Sequence, residues 1–186
     1  MAASADVFNE TGVYGKWNIY RDTSDCFEHI SVFQEVYRAL YEDLSDYEGH
    51  GQYGDGVHVM FVKLNTSNVV RKAVMSMRDN VMVSLGQRYG VRFEYLSGNP
   101  CVRMVGSEQL SRTQRSVVRV VSDNLWRYCA IADRMENHIE TNSYWMEGHR
   151  FVDVTPLAEL MEREIRHLDS LHDDFQDEIE ALLLNL

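Results

Sequence analysis

From Ser107 to about Thr141 the apolar residues recur at the spacing of a single helical face. Placed at roughly 100° per residue, Leu110, Val117, Val121, Leu125, Tyr128, Ala132, Met135 and Ile139 fall within about 80° of arc. After a connector, Thr155 and Pro156 read as a cap-and-first-turn pair for a final helix running to the C-terminus. That helix carries Leu157, Leu160/Met161, Ile165, Leu168, Leu171, Phe175, Ile179 and Leu182 on one side. Each of the two helices runs to about 30 residues, longer than the usual globular helix, and two such stripes in succession predict a long helical hairpin.

The preceding segments predict something different. Val13 to Tyr20 is rich in β-formers and reads as a short strand. Thr23 or Ser24 is placed to cap a helix to about Tyr47, with Phe27, Ile30, Phe33, Leu40 and Leu44 on its apolar face. A glycine loop, EGHGQYGDG, leads to an apolar strand over Val57–Leu64, and Asn65, Thr66 or Ser67 starts a second helix stopped by Gly90. VRFEYL and CVRMV flank Ser97-Gly98-Asn99-Pro100 as a hairpin. The expected fold is therefore α+β. It comprises a small mixed sheet of about four strands, in β-α-β-α-β-β order and packed by two helices, then the helical hairpin. The expected layout is a flexible tail over 1–12, an α/β core over 13–106, and the hairpin over 107–186 as an extension of the same domain. At 45% hydrophobic residues, a chain of 186 residues has enough apolar material for one core.

Charge is sorted along the chain. Residues 1–60 carry a net −8, residues 61–134 a net +7, and residues 135–186 a net −10, within a total of −11. The acidic total argues against a protein that simply coats nucleic acid. The basic middle keeps one polyanion-binding face open. Its sharpest feature lies on the polar side of the first long helix, where Arg112, Arg115, Arg119, Arg127 and Arg134 fall within about 120° of arc and span about 33 Å. Arg103 on the hairpin joins the same candidate set, and Arg71, Lys72 and Arg78 are further neighbours to consider. Guanidinium forks suit phosphate oxygens, and a rod of them suits a duplex backbone read by shape. The same stripe also fits a solvated helix face, or a face paired with acidic protein surfaces.

On the last helix, Leu160, Ile165, Leu168, Leu171, Phe175, Ile179 and Leu182 form the expected oligomer seam. Glu164 intrudes on it and the spacing drifts from a strict heptad, so a coiled-coil zipper is not expected. The LLLNL ending is too apolar to be left in water as a free tail.

Catalytic and ligand motifs are weak. Gly49-His50-Gly51-Gln52-Tyr53-Gly54 matches G-x-G-x-x-G, but it follows a helix and precedes a strand, the reverse of a dinucleotide site. Cys26-x-x-His29 is half of a zinc pattern without a second half. A metal-nuclease arrangement around Asp55 and Lys63 has Phe61 where a carboxylate is needed. No G-x-S-x-G occurs, and none of the three cysteines has an obvious His partner. No cofactor, metal or catalytic residue is expected. The opening MAASADVFNE lacks a basic and apolar leader, and no apolar run reaches membrane-spanning length. Together with the odd cysteine count, this reads as cytoplasmic or nuclear, in the chain's own cell or in a host.

The expectation is a non-catalytic intracellular binding or assembly protein. It self-associates through its C-terminal helices and binds a polyanion, with duplex RNA or DNA backbone as the sharpest form. Three alternatives stand beside it. One is an adaptor or structural subunit of a viral or multi-protein assembly whose arginines meet acidic protein. Another is an inhibitor presenting acidic helices to a basic partner, and the last an enzyme with a site scattered over His58, Asp55 and Glu94.

Overall fold

The computed structural model describes residues 13–49, 59–60, 65–96, 101–106, 110–146 and 148–185. In chain order these form α1 (Val13–Gly49), β1 (Val59–Met60), α2 (Asn65–Tyr89), β2 (Arg92–Tyr95), β3 (Val102–Val105), α3 (Arg112–Asn142), β4 (Tyr144–Met146), β5 (His149–Asp153) and α4 (Val154–Leu184). The class is α+β and mostly helical, and α3 and α4 form the long C-terminal hairpin. The expected tail over 1–12, and the glycine loop beyond Gly49, lie outside the described residues.

The expected strand over 13–20 is instead the first part of α1. Buried residues continue the helical stripe upstream from Ile30 through Cys26 to Ile19, so packing of that face overrides the β-propensity of the local sequence. Thr23 and Ser24 therefore sit inside a helix and do not cap one. The Thr23 hydroxyl donates to the Ile19 carbonyl at 2.7 Å and the Ser24 hydroxyl to the Arg21 carbonyl at 2.9 Å.

Among the described residues, two antiparallel sheets stand in place of the expected single mixed sheet. β2 pairs with β3, as the hairpin reading expected, with Phe93 opposite Met104 and Glu94 opposite Arg103. The other sheet has the order β1-β5-β4. Its β4 and β5 occupy the segment read as a bare connector. Gly148, at φ 78°, makes the tight turn that lets Trp145 pair with Arg150 and Tyr144 with Phe151. Only Val59–Met60 of the expected strand 57–64 is described, and it pairs with Val152–Asp153.

The helix read from Ser107 begins at Arg112. Ser111 caps it reciprocally: the Gln114 amide donates to the Ser111 hydroxyl at 3.1 Å, and the Ser111 amide donates to the Gln114 side-chain oxygen at 3.0 Å. The last helix begins at Val154, so Pro156 stands in its first turn, where no intrahelical donor is required.

Contacts divide the chain into two units, and each long helix contributes one stretch to each. The first unit comprises Met1–Ile30, Arg78–Trp126 and Leu171–Leu186. Its core is built from Ile19, Cys26, Leu85, Val121, Leu125 and Phe175, with the Phe27 and Phe175 rings 4.7 Å apart and the β2-β3 hairpin within the same unit. The second unit comprises Ser31–Met77 and Arg127–Ser170. It buries Phe33, Tyr37, Val74, Tyr128, Met135, Leu157 and Met161, the Phe33 and Tyr128 rings meeting edge-on at 6.2 Å.

Candidate functional site

The arginines of the stripe are divided between the two units. Arg112, Arg115 and Arg119 lie in the first unit on the exposed face of α3. The apolar set of that helix (Val117, Val121, Leu125) turns inward and is fully buried, which forces residues on the opposite arc into water. No carboxylate occurs from Arg112 to Ser122, so the first three turns carry a net +3. The positive end of the helix adds to the same field.

Arg103 and Arg134 are held by the chain's own carboxylates. Arg103 bonds Glu94 across the β2-β3 pair, its Nε 3.1 Å from Glu94 Oε2. Arg134 bonds Glu164 through both forks, Nε to Oε1 at 2.6 Å and the terminal nitrogen to Oε2 at 3.0 Å. Arg127 is half-buried and falls in the second unit. Of the further cations considered, Arg71 is engaged by Asp133 at 2.6 Å and by Glu136, while Lys72 is exposed. Arg78 is 9% exposed, lies 4.5 Å over the Tyr95 ring and bonds Asp79 at 3.1 Å.

The residues read as an oligomer seam also divide. Leu168, Leu171, Phe175 and Ile179 are buried inside the chain itself, whereas Leu160, Ile165 and Leu182 are half-buried. Glu164, which seemed to spoil that seam, is 6% exposed and receives Arg134.

Cys26 is fully buried, and that burial pushes its thiol up to about 12, far from a reactive thiolate. Asp22, 4% exposed, is raised by burial although the Tyr89 hydroxyl, Arg21 and Arg88 oppose the shift. Its neighbour Asp25 is held below its ordinary value by Arg88, whose terminal nitrogen lies 2.6 Å from it. These groups form an ion-pair cluster between α1 and α2 in the first unit. A groove of about 440 Å³ between α2 and β2 is lined by Met82, Val83, Phe93, Tyr95 and Arg92, with no His, Cys, Asp or Glu among its described lining residues. No group of three His, Cys, Asp or Glu among the described residues is placed to hold a metal ion. Asp55 and His58 lie outside the described residues, and Glu94 is engaged by Arg103. Among the described residues, no helix is long and apolar enough to cross a membrane.

Trp126 is the residue that the reading of the stripe passed over. It stands on the polar side of α3 and is 36% exposed. An aromatic on the arc opposite the apolar set was the available signal.

No protein-family model, no curated protein and no solved structure matches this chain.

Proposed function

We propose that this chain is a non-catalytic binding or assembly protein that holds a polyanion against Arg112, Arg115 and Arg119. A nucleic-acid backbone is the ligand that best fits three guanidinium groups in a row. The observation that carries the reading is the run itself: three arginines with no intervening carboxylate stand on an exposed helix face of a chain with a net charge of −11. A solvated face needs no such exclusion of carboxylates. Cys26 and Cys101 are buried thiols, which supports a reducing, intracellular setting.

The test is binding of a short nucleic acid, followed by light-scattering mass at about 50 and about 300 mM salt. Three phosphate contacts on a duplex predict a salt slope near −2.7, so affinity should fall about a hundredfold over that range. Changing Arg112, Arg115 and Arg119 together to Glu should abolish binding with the helical circular dichroism intact, because the apolar face is untouched. Binding that survives the triple change would refute the assignment.

Self-association is the second reading. Leu184, 85% exposed and next but one to half-buried Leu182, supports contact through the last turn of α4. If that turn is the interface, Leu184→Asp should convert an oligomer into monomers at unchanged helix content. An oligomer that persists in this variant would exclude it.

A further inference from the structure

Building on the polyanion reading, we infer that the ligand is a single-stranded nucleic acid, with an unpaired base stacked on Trp126 while its phosphates lie along Arg112, Arg115 and Arg119. The α3 geometry puts the four side chains on one line. At roughly 100° and 1.5 Å per residue, they fall within about 60° of arc and about 21 Å of length, with Trp126 lying in angle between Arg115 and Arg119. All four belong to the first unit.

Two facts make Trp126 more than a chance aromatic. It is 36% exposed on the polar face of a helix whose core positions are already filled by Val117, Val121, Leu125 and Tyr128, so part of its indole stays open to a ligand. Tryptophan is also only a middling helix former, and leaving part of its ring in water forfeits apolar burial that a ligand restores. Arginines alone treat a duplex and a single strand alike, because both present phosphates. An aromatic face discriminates: in a duplex the base faces are covered by their neighbours, whereas a single strand offers them for stacking. Asp123 is exposed about 60° around the helix from Trp126 and repels phosphate on that side. The strand is thereby directed along the Arg115 side of the indole.

The experiment titrates the full chain with a labelled oligouridylate of about 12 nucleotides and with a duplex of the same length, at about 50 mM salt. The single strand should bind more tightly than the duplex. Trp126→Leu should weaken single-strand binding about tenfold and leave duplex binding unchanged, and Trp126→Phe should restore most of the loss. A chain carrying Trp17→Phe and Trp145→Phe keeps Trp126 unaltered, and its fluorescence should be quenched as the oligouridylate binds. Equal affinity for both nucleic acids, with Trp126→Leu harmless and no quenching, would overturn stacking and leave the arginine reading standing. Heparin or polyglutamate binding as tightly as the oligouridylate would overturn it in favour of a bare polyanion or acidic protein surface. Failure to bind any of these would overturn both readings.

Discussion

Arg134 and Glu164 meet through both forks of the guanidinium, at 2.6 and 3.0 Å, with the carboxylate side chain 8% exposed and the arginine 43% exposed. This relationship joins two residues that the linear pattern set in different roles, one in a basic stripe and the other as a flaw in an apolar seam. Burying a carboxylate is expensive, and the bidentate pair offsets that cost. The burial is unequal, so the two ends of the pair are not equivalent.

Arg134→Ala should therefore cost more stability than Glu164→Gln. The first leaves a buried carboxylate unpaired, at about 3 kcal/mol. The second leaves a guanidinium that water reaches, at about 1 kcal/mol. Urea unfolding midpoints of the two variants measure the difference, and equal losses would contradict the asymmetry.

Binding measurements should divide the arginines as the fold does. Arg119→Ala should reduce the salt slope of polyanion binding by about 1. Arg103→Ala should leave that slope unchanged, because Glu94 already holds its guanidinium. A stripe acting as one uniform surface would show the same change for both.

Gly86→Ala tests a backbone contact. Alanine in place of glycine inside a helix ordinarily adds about 0.5–1 kcal/mol. Here the new Cβ would lie 2.7 Å from the Val91 carbonyl oxygen, and Val91 is tied back because its amide N–H donates a hydrogen bond to the Gly86 carbonyl at 3.0 Å. A backbone atom cannot rotate away, so the clash should win and lower the stability by about 1–2 kcal/mol. A more stable variant on thermal unfolding would show that the β2 entry yields.

The Arg88 cluster carries a pH signature. Arg88 lowers Asp25 below its ordinary 3.8, so the stability Asp25 contributes is present above that value and lost as pH falls through its lower folded value. Asp22 has the opposite sign: burial raises it, so its ionised form penalises the fold and the penalty fades as pH falls. Removing the cation in Arg88→Met exposes both carboxylates to that penalty while they are ionised. The stability difference from the native chain should be largest near pH 6 and shrink towards about pH 3. A difference independent of pH would show that Arg88 acts through packing alone.

Much was legible before any tertiary contact was known. The apolar arcs of α3 and α4 require inward faces, and Val121, Leu125, Met135, Leu168 and Phe175 are all buried. The hairpin flanking Ser97–Pro100 and the second helix ending at Gly90 followed from turn chemistry, and the φ of Gly90, at 67°, is the reason glycine stands there.

What only the tertiary structure decided involves competition between distant groups. Val13–Tyr20 has the local composition of a strand, yet Ile19 is buried in register with Cys26 and Ile30, and the gain from that packing exceeds a propensity difference of under about 1 kcal/mol. The pairing of β5 with β1 joins residues far apart in the chain. The fate of each arginine depends on where a carboxylate arrives in space: Glu164 reaches Arg134 and Glu94 reaches Arg103. Periodicity determines which way a side chain faces, because it follows from the geometry of one helix. Which partner that side chain meets depends on how separate elements pack, and no single stretch of sequence carries that information.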